Sequence, residues 1–545
     1  MDKYSVFCES ILRMQSRLFL KTKEVLYMIQ INGLTLTHKK DLRIILEDFS
    51  LVLNNGDKAV IIGEEGNGKS TLMKWMSDPC LVENYIEAEG GRLLGREKIG
   101  YLPQELSEEH KCKTVYEFFS ENEYFWEQTP KELSNMAKQF DVDGEFFYRE
   151  QLMSSLSGGE KIKAQLMNIL MQNPTVLFMD EPSNDIDINT LEFLEKLINE
   201  WQQIVLFISH DETLIERTAN MIIHIEQLQR KQKPRYTVAR LPYRKYVETR
   251  LQLFERQEQQ ANNERREKKI RDEKYRKLMQ SVEHSLRSCS RQDPFKAKCL
   301  KSKMNTVKAA EKRYAKEDKN MTEMPEQEEA IFFKLGSKED SIPAGKVVLE
   351  YSLENLTISS KSDEDNYILA KNIILRVRGN EKICIVGRNG IGKTTLIKRI
   401  ASELFERKDL RVEYMPQNYE ELLNLDMTPV DFLDATGDKE ERTRIRTYLG
   451  SLKYTVDEME HPVRELSGGQ KAKILLLKMS LSGANVLILD EPTRNFSPLS
   501  SPVIRRILCE FPGAIISISH DRKYIDEVCD KVYELTSEGL HILAE

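Results

Sequence analysis

Two stretches of this sequence share one pattern: GEEGNGKST at residues 63–71 and GRNGIGKTT at residues 387–395. Both match G-x-x-x-x-G-K-[ST], a loop whose backbone amides surround phosphate groups. Each follows an apolar run, KAVIIG or KICIVG, that predicts a buried strand, and each leads into a helical pattern. The glycines let the amides turn inward, and the following helix N-terminus adds a favourable dipole. The sequence therefore predicts two phosphate-binding strand–loop–helix units.

The side chains of the two loops have separate predicted roles. We expect Lys69 and Lys393 to reach the β- and γ-phosphates of a nucleotide, and Ser70 and Thr394 to bind Mg²⁺. The other predicted ATP contacts in the loops are Gly63, Gly66, Gly68, Thr71, Gly387, Gly390, Gly392 and Thr395.

Three further motifs occur once in each half, in the same order. The serine of LSGG precedes the glutamate of DEP by 24 residues in both copies, and that glutamate precedes the histidine of SHD by 29. Chance does not produce this agreement, so the chain contains an internal duplication. The matched stretches are LSGGE (156–160) and LSGGQ (466–470), VLFMDEP (176–182) and VLILDEP (486–492), and FISHD (207–211) and SISHD (517–521).

This motif set resembles the ATP-binding cassette (ABC) superfamily, over both halves of the chain. The resemblance implies two mixed α/β domains, each with a helical subdomain, that pair head to tail. Each ATP would lie between the phosphate loop of one half and the LSGG of the other. Phosphoryl transfer needs mainly positioning and charge neutralisation. The implied roles are Mg²⁺ binding by Asp180 and Asp490, activation of water by Glu181 and Glu491, γ-phosphate contact by His210 and His520, sensing of Mg²⁺ and water by Gln104 and Gln417, and ATP contact by Ser157, Gly158, Gly159, Ser467, Gly468 and Gly469.

The two copies differ after the DEP motif. The first continues PSNDID, close to the family's usual run ending in aspartate, whereas the second continues PTRNFSPLS and has Ser497 in place of that aspartate. The resemblance implies that this loop couples the two ATP sites, so we expect unequal sites; whether both turn over stays open. No adenine-stacking residue is assigned. The isolated histidines at 38, 224, 461 and 541 are interpreted as surface or packing residues.

Length and composition indicate several domains without a membrane part. The chain has 545 residues, more than one core accommodates, and no run of 18 apolar residues. Its eight cysteines form no CxxC pair, which is typical of a reducing compartment. Residues 1–27 are interpreted as a dispensable extension or, alternatively, an amphipathic helix with a partner. The predicted domains are 28–243 and 346–545 for the cassettes and 244–345 for the connector.

The connector is predicted to be an antiparallel helical hairpin. Its first part lacks Pro and Gly for over 40 residues, which indicates a long helix of roughly 60 Å. Apolar residues then recur at helical spacing on both sides of Pro294, which places a tip near 287–296. The two stripes are Tyr275, Leu278, Val282 and Leu286, then Leu300, Met304, Val307, Ala310 and Tyr314.

The charge of the connector predicts its partner. Residues 241–320 contain 23 Lys and Arg but 12 Asp and Glu, a net +11, while the rest of the chain has a net −18. Residues 284–308 contain seven basic residues and one acidic residue. Mixed charges on a solvated helix would explain the first part of the connector but not this segment. A basic hairpin on an acidic protein suits a nucleic-acid backbone.

The whole layout resembles the soluble ABC-F proteins, twin-cassette ATPases that act on ribosomes. SRQDP (290–294) and DEPTRNFSPLS (490–500) look like the antibiotic-resistance, ribosome-protection members from Gram-positive bacteria. The resemblance implies a cytoplasmic monomer that binds the E site of the 70S ribosome, contacting 23S rRNA and the P-site tRNA. Residues nearest the drug site would be Arg291, Gln292, Asp293, Pro294 and Phe295, and RNA phosphates would be held by Lys296, Lys298, Lys301 and Lys303.

Alternative functions stay open at this point. A housekeeping translation factor of the same family would share every feature except the drug. A DNA-repair or chromosome ATPase would share only the nucleotide-binding motifs of the two cassettes. The ATPase half of an exporter would leave the basic hairpin unexplained. The LSGG serine follows the glutamine by 53 positions in the first cassette and by 50 positions in the second. An inserted arm in the first cassette is therefore expected to be short or missing, and the drug class is not predicted.

Overall fold

The computed structural model divides the chain into two compact units. One joins Met1–Tyr243 to Glu328–Glu545, and the other is Arg244–Gln327 between them. The predicted extension at residues 1–27 lies outside the described residues. Those residues are 28–95, 97–184, 186–228, 233–287, 294–319, 321–322, 335, 341–359, 366–452 and 454–544.

The first cassette is built on a six-stranded sheet. Across the sheet the strands are β5 (Ile99–Leu102), β6 (Val176–Asp180), β7 (Ile204–Ile208), β3 (Lys58–Ile62), β8 (Met221–Gln227) and β9 (Lys233–Ala239). All neighbours pair in parallel except β8 and β9. Strands β3, β6 and β7 are buried at every residue, which is why their sequences are continuous apolar runs. An antiparallel sheet has the order β2 (Ile44–Asn54), β1 (Met28–His38), β4 (Ile86–Leu94).

The second cassette repeats the six-stranded sheet of the first. Its sheet has the order β13 (Val412–Met415), β14 (Val486–Asp490), β15 (Ala514–Ile518), β12 (Lys382–Val386), β16 (Lys531–Leu535) and β17 (Leu540–Ala544). Only β16 and β17 pair antiparallel among its described strands. Strands β10 (Val347–Ser359) and β11 (Asn366–Arg378) form an antiparallel pair.

Helices connect the strands in both cassettes. Those of the first are α1 (Lys69–Ser77), α2 (Glu108–Lys111), α3 (Val115–Ser120), α4 (Glu123–Glu127), α5 (Pro130–Gln139), α6 (Gly158–Met171), α7 (Ile188–Glu200) and α8 (Glu212–Thr218). Those of the second are α11 (Lys393–Phe405), α12 (Pro429–Leu433), α13 (Lys439–Ser451), α14 (Val456–Glu460), α15 (Gly468–Ser482), α16 (Ser501–Cys509) and α17 (Arg522–Val528). The structure confirms the predicted α/β class, with two tandem cassettes and a helical region between them.

The unit between the cassettes consists mainly of two long helices, α9 (Tyr243–Arg287) and α10 (Pro294–Lys319). They run antiparallel. Arg271 of α9 pairs with Asp318 near the C-terminal end of α10, and Tyr275, later in α9, meets Tyr314, earlier in α10, with ring centroids 6.4 Å apart. In each stripe a valine is buried, at Val282 and Val307.

One stripe residue was predicted wrongly. Leu278 is 54% exposed, although its spacing from Tyr275 fits the apolar pattern. The side chain of Leu286 lies outside the described part.

Candidate nucleotide-binding sites between the two cassettes

Each phosphate loop lies between a buried strand and a helix that begins at its lysine. The loop glycines have positive φ, including 147° at Gly63 and 150° at Gly387. A Cβ on Gly63 would lie 2.2 Å from the carbonyl oxygen of Ile225, and one on Gly387 would lie 2.6 Å from that of Leu535. Backbone conformation and space both require glycine there. The four other loop glycines predicted to contact ATP also have positive φ: Gly66, Gly68, Gly390 and Gly392.

The loop lysines hold the loops in shape and present a cation to them. Lys69 Nζ donates to the carbonyl oxygen of Gly63 at 2.9 Å, and Lys393 Nζ donates to that of Gly387 at 2.7 Å. Both side chains are buried. Burial lowers the pKa of Lys393, although acidic groups led by Glu491 act in the opposite direction. Each ammonium group therefore lies against its loop, where phosphates are expected to bind.

A hydroxyl and a carboxylate meet beside each loop. Ser70 Oγ donates to Asp180 Oδ1 at 2.9 Å, and Thr394 bonds Asp490 in the same way. Burial raises the pKa of both aspartates to about 6. The second oxygen of Asp490 is buried without a hydrogen-bond partner among the described residues. Hard oxygen ligands of this kind suit Mg²⁺, and the unpartnered oxygen indicates room for a cation, so these residues fit the ion.

The glutamates after the strands occupy strained and different environments. Glu181 and Glu491 have φ of 50° and 54°, a left-handed conformation that non-glycine residues rarely adopt. Gln104 Nε2 donates to Glu181 at 2.8 Å, and His210 Nε2 lies 3.3 Å from it. Burial raises the pKa of Glu181, but the neighbouring His210 and Lys69 outweigh this and lower it to about 2.

Glu491 lacks the close imidazole contact. His520 Nε2 lies 3.9 Å away, and the glutamate accepts the backbone N–H of His520 at 3.3 Å instead. Burial, helped by the charge of Asp490, raises the pKa of Glu491 to about 8. Burial and the charge of Lys393 lower the pKa of His520 to about 4. The two cassettes therefore present chemically unequal glutamate–histidine pairs.

The larger cavity, about 710 Å³, joins the second phosphate loop to the first LSGG. Glu160 and the LSGG residues Ser157 and Gly158 line one side. The SGGE sequence explains this geometry, because Ser157 caps α6 and Glu160 returns a bond to its backbone, a capping box that exposes the helix N-terminus. The opposite side includes Asn389, Gly390, Gly392, Lys393, Thr394, Thr395, Gln417, Asp490, Glu491 and His520.

The smaller cavity, about 380 Å³, contains the first phosphate loop together with Gln104, Glu181 and His210. Arg494 and Asn495 line it from the second cassette. At this site the second LSGG contacts a protein carboxylate: the backbone N–H of Gly469 donates to Oε2 of Glu65, in the first phosphate loop, at 2.5 Å. Ser467 caps α15 in the same capping-box manner as in the first cassette.

Sequence reasoning missed part of the smaller cavity. His38 and Tyr85 line it near Arg43 and Ile45, although His38 was interpreted as a surface or packing residue. Their positions at the end of β1 and just before β4 could have identified them only once those strands were paired. The other three histidines fit the surface or packing interpretation, because His224 is fully buried in β8 and His461 and His541 are exposed.

Two buried ion pairs cross the interface between the cassettes. Glu212 at the start of α8 lies 2.7 Å from Arg505 of α16, and Glu195 of α7 lies 2.5 Å from Arg522 at the start of α17. Lys523 also donates to Glu212, at 2.9 Å. Buried charges are tolerated only when they are paired in this way.

The ion pairs are related by the duplication, with their charges inverted. From the LSGG motif to the SHD motif, each residue of the first cassette corresponds to the residue 310 positions later in the second. Glu195 therefore corresponds to Arg505, and Glu212 corresponds to Arg522. The acids lie in the first cassette and the bases in the second. Two like cassettes would bring equal charges together, which is unfavourable. The charge pattern therefore favours pairing of a first cassette with a second.

The predicted connector tip is only partly described. Arg291, Gln292 and Asp293 lie outside the described residues, and the side chains of Pro294, Phe295 and Lys296 at the start of α10 do too. Lys298, Lys301 and Lys303 lie on α10 with exposed side chains.

No helix within the described ranges is long and apolar enough for a membrane span. Residues 46–184 and 370–494 match the ABC transporter family model. The chain is 24% identical to the ATP-binding protein Uup of Buchnera aphidicola, over 91% of this chain and 78% of that protein. It is 23% identical to ABC transporter F family member 5 of Arabidopsis thaliana, over 90% and 72%.

Among solved structures, the archaeal ribosome recycling factor aABCE1, in complex with the ribosomal stalk protein aP1, has a similar fold. The TM-score is 0.55 with 18% identity, over 94% of this chain and 90% of that chain. The two matched domains, the repeated motifs and these relatives show a tandem ABC ATPase that is similar to ABC-F proteins, and such an ATPase binds ATP with Mg²⁺ and hydrolyses it.

Proposed function

We propose that this ATPase is a cytoplasmic ribosome-protection protein that acts as a monomer. In this proposal it binds the E site of the 70S ribosome in the ATP-bound state and contacts 23S rRNA and the P-site tRNA through its connector. The connector tip displaces an antibiotic from the peptidyl-transferase centre, and ATP hydrolysis releases the protein. Residues 28–243, 244–345 and 346–545 serve as the first cassette, the connector and the second cassette.

The observation that carries the proposal is the group of exposed lysines in the N-terminal part of α10. Lys298, Lys301 and Lys303 are exposed within a segment that has almost no acidic residues. Lysine is a compact point charge suited to phosphate, and such interactions give affinity without reading sequence. The similar fold of a ribosome recycling factor is compatible with a ribosomal partner.

A ribosome-pelleting experiment tests the nucleic-acid part. Replacing Lys298, Lys301 and Lys303 with Gln should weaken binding and flatten its salt dependence, by up to about one unit of log–log slope for each phosphate that is no longer neutralised. The matched control replaces three exposed lysines on the sign-mixed part of α9 and should change the slope less: Lys269, Lys274 and Lys277. Equal slopes for both variants would refute this role of α10.

In this proposal, one set of residues displaces the drug and a different set binds the ribosome. Replacing residues 291–295 with Gly and Ser should leave ribosome pelleting and ATPase rate nearly intact while abolishing resistance in a drug-sensitive strain. The alternative is a housekeeping ABC-F translation factor, favoured by relatives whose names do not mention resistance. If expression of the unmodified chain raises the inhibitory concentration of no peptidyl-transferase drug, the housekeeping function replaces the protection proposal.

A further inference from the structure

Glu64 of the first phosphate loop reaches across the interface into the second cassette. Its Oε1 accepts the hydroxyl of Ser497 at 2.9 Å and also the hydroxyl of Ser500. Lys473 Nζ lies 3.7 Å from its other oxygen. Burial raises the pKa of Glu64, but Lys473, the two hydroxyls and Lys69 outweigh this and hold it below its usual range. The group is therefore an ionised carboxylate in the interface.

Ser497 corresponds, by the 310-residue spacing, to Asp187 in the first cassette. Asp187 caps α7, accepting the N–H of Thr190 at 2.9 Å. Its charge also acts across the interface, raising the pKa of Lys393 and of His520 against the effect of burial. The loop after Glu181 therefore contains a carboxylate at this position.

At the first ATP site, the carboxylate next to the corresponding loop of the second cassette is Glu64, which belongs to the phosphate loop of the opposite cassette. The loop of the second cassette has the neutral Ser497, and Glu64 of the opposing phosphate loop faces it. The second phosphate loop has the exposed Arg388 at the position of Glu64. The two cassettes therefore differ at both positions, because the first has Glu64 and Asp187 where the second has Arg388 and Ser497.

The Glu64–Ser497 hydrogen bond lies one residue from a hydrogen bond to the first-site histidine. His210 Nδ1 is 2.8 Å from the backbone carbonyl oxygen of Phe496. A carbonyl only accepts, so Nδ1 donates, and this bond directs Nε2 toward Glu181. The corresponding atom of His520 is buried without a hydrogen-bond partner among the described residues. The interdomain histidine contact is thus specific to the first site.

We propose that Glu64 is a positioning residue for ATP hydrolysis at the first site, acting through Ser497 and Phe496 on His210. By holding the serine, its carboxylate fixes the adjacent backbone carbonyl, and that carbonyl orients the imidazole beside Glu181. The inference concerns hydrolysis itself and holds whichever partner the chain acts on.

Glu64→Gln in the full chain tests the proposal, because it keeps the shape and removes the charge. Loss of a charge-assisted hydrogen bond should lower kcat about tenfold, equivalent to about 1.4 kcal/mol of barrier. KM for ATP should change less than threefold. The loss should persist in a Glu491→Gln background and disappear in a Glu181→Gln background, where the first site is already inactive. The exposed Glu47→Gln is the charge control.

A relocated carboxylate provides the rescue. Combining Glu64→Ser with Ser497→Asp returns the carboxylate to the second cassette and should restore kcat to within about threefold of the unmodified chain, whereas Ser497→Asp alone places two carboxylates together and should lower it. Thermal unfolding midpoints report folding for each variant. An unchanged kcat for Glu64→Gln, or an equal loss in the Glu181→Gln background, overturns the proposal, as does failure of a folded double variant to recover.

Discussion

The buried pair of Glu212 and Arg505 allows the energetic contribution of the cassette interface to be predicted. Glu212→Gln preserves the side-chain shape but removes the charge that faces Arg505 and Lys523. The side chains of Arg505 and Glu212 are 3% and 5% exposed, so water cannot replace the missing charge. Breaking a buried pair from one side costs about 3–5 kcal/mol. Because Glu527 still contacts Arg505 at 2.7 Å, we expect the loss of interface free energy to be about 3 kcal/mol, the lower end of this range.

ATP hydrolysis is the readout, because each site is built from both cassettes. About 3 kcal/mol corresponds to a roughly hundredfold loss of kcat/KM. Arg505→Met alone should also be impaired, since Glu212 loses one of its two cationic partners. The double variant should be far less impaired than the product of the two single effects, because neither charge is left unpaired.

The control for this double-mutant cycle of Glu212 and Arg505 is Glu192→Gln, which changes an exposed acid on the same helix as Glu195. It should stay within about twofold of the unmodified chain, as exposed charges contribute little. The reasoning is refuted if Glu212→Gln behaves like this control, or if the effects of Glu212→Gln and Arg505→Met simply multiply.

Two further predictions concern the inequality of the ATP sites. Glu181→Gln and Glu491→Gln, made singly, should differ in residual ATPase rate by more than about threefold, roughly 0.7 kcal/mol of barrier; equal rates in a steady-state phosphate-release assay would contradict this. Glu65→Asn, which copies the residue in the second loop, should tighten binding of a fluorescent ATP analogue at the first site by about tenfold, because it removes a negative charge and frees the N–H of Gly469. Unchanged affinity would show that the phosphate does not use that amide.

The local parts of the fold and sites were predictable from the sequence because their causes are local. Apolar runs such as KAVIIG become buried parallel strands, and the SGGE and SGGQ runs become capping boxes. The resemblance of the repeated motifs to the ABC superfamily implied that the paired aspartates, glutamates and histidines lie beside the loops. The long helix α9 followed from the absence of helix-breaking residues.

Contacts between distant segments could not be predicted. The sequence showed that Ser497 replaces an aspartate, but not that Glu64, more than 400 residues earlier, supplies a carboxylate opposite it. The wrong assignment of Leu278 has a related cause, since helical spacing does not fix which edge of a stripe the partner helix covers. His38 was missed because its neighbours in the cavity come from other strands.

The ribosomal cycle is tested most directly by a hydrolysis-deficient chain. Glu181→Gln and Glu491→Gln together remove both carboxylates expected to activate water while leaving the loop lysines that face the phosphates. The measurement is the fraction of protein that pellets with 70S ribosomes in ATP, compared with ADP and with the unmodified chain. The double variant should be retained on ribosomes in ATP and released in ADP. Pelleting no greater than that of the unmodified chain in ATP would contradict it.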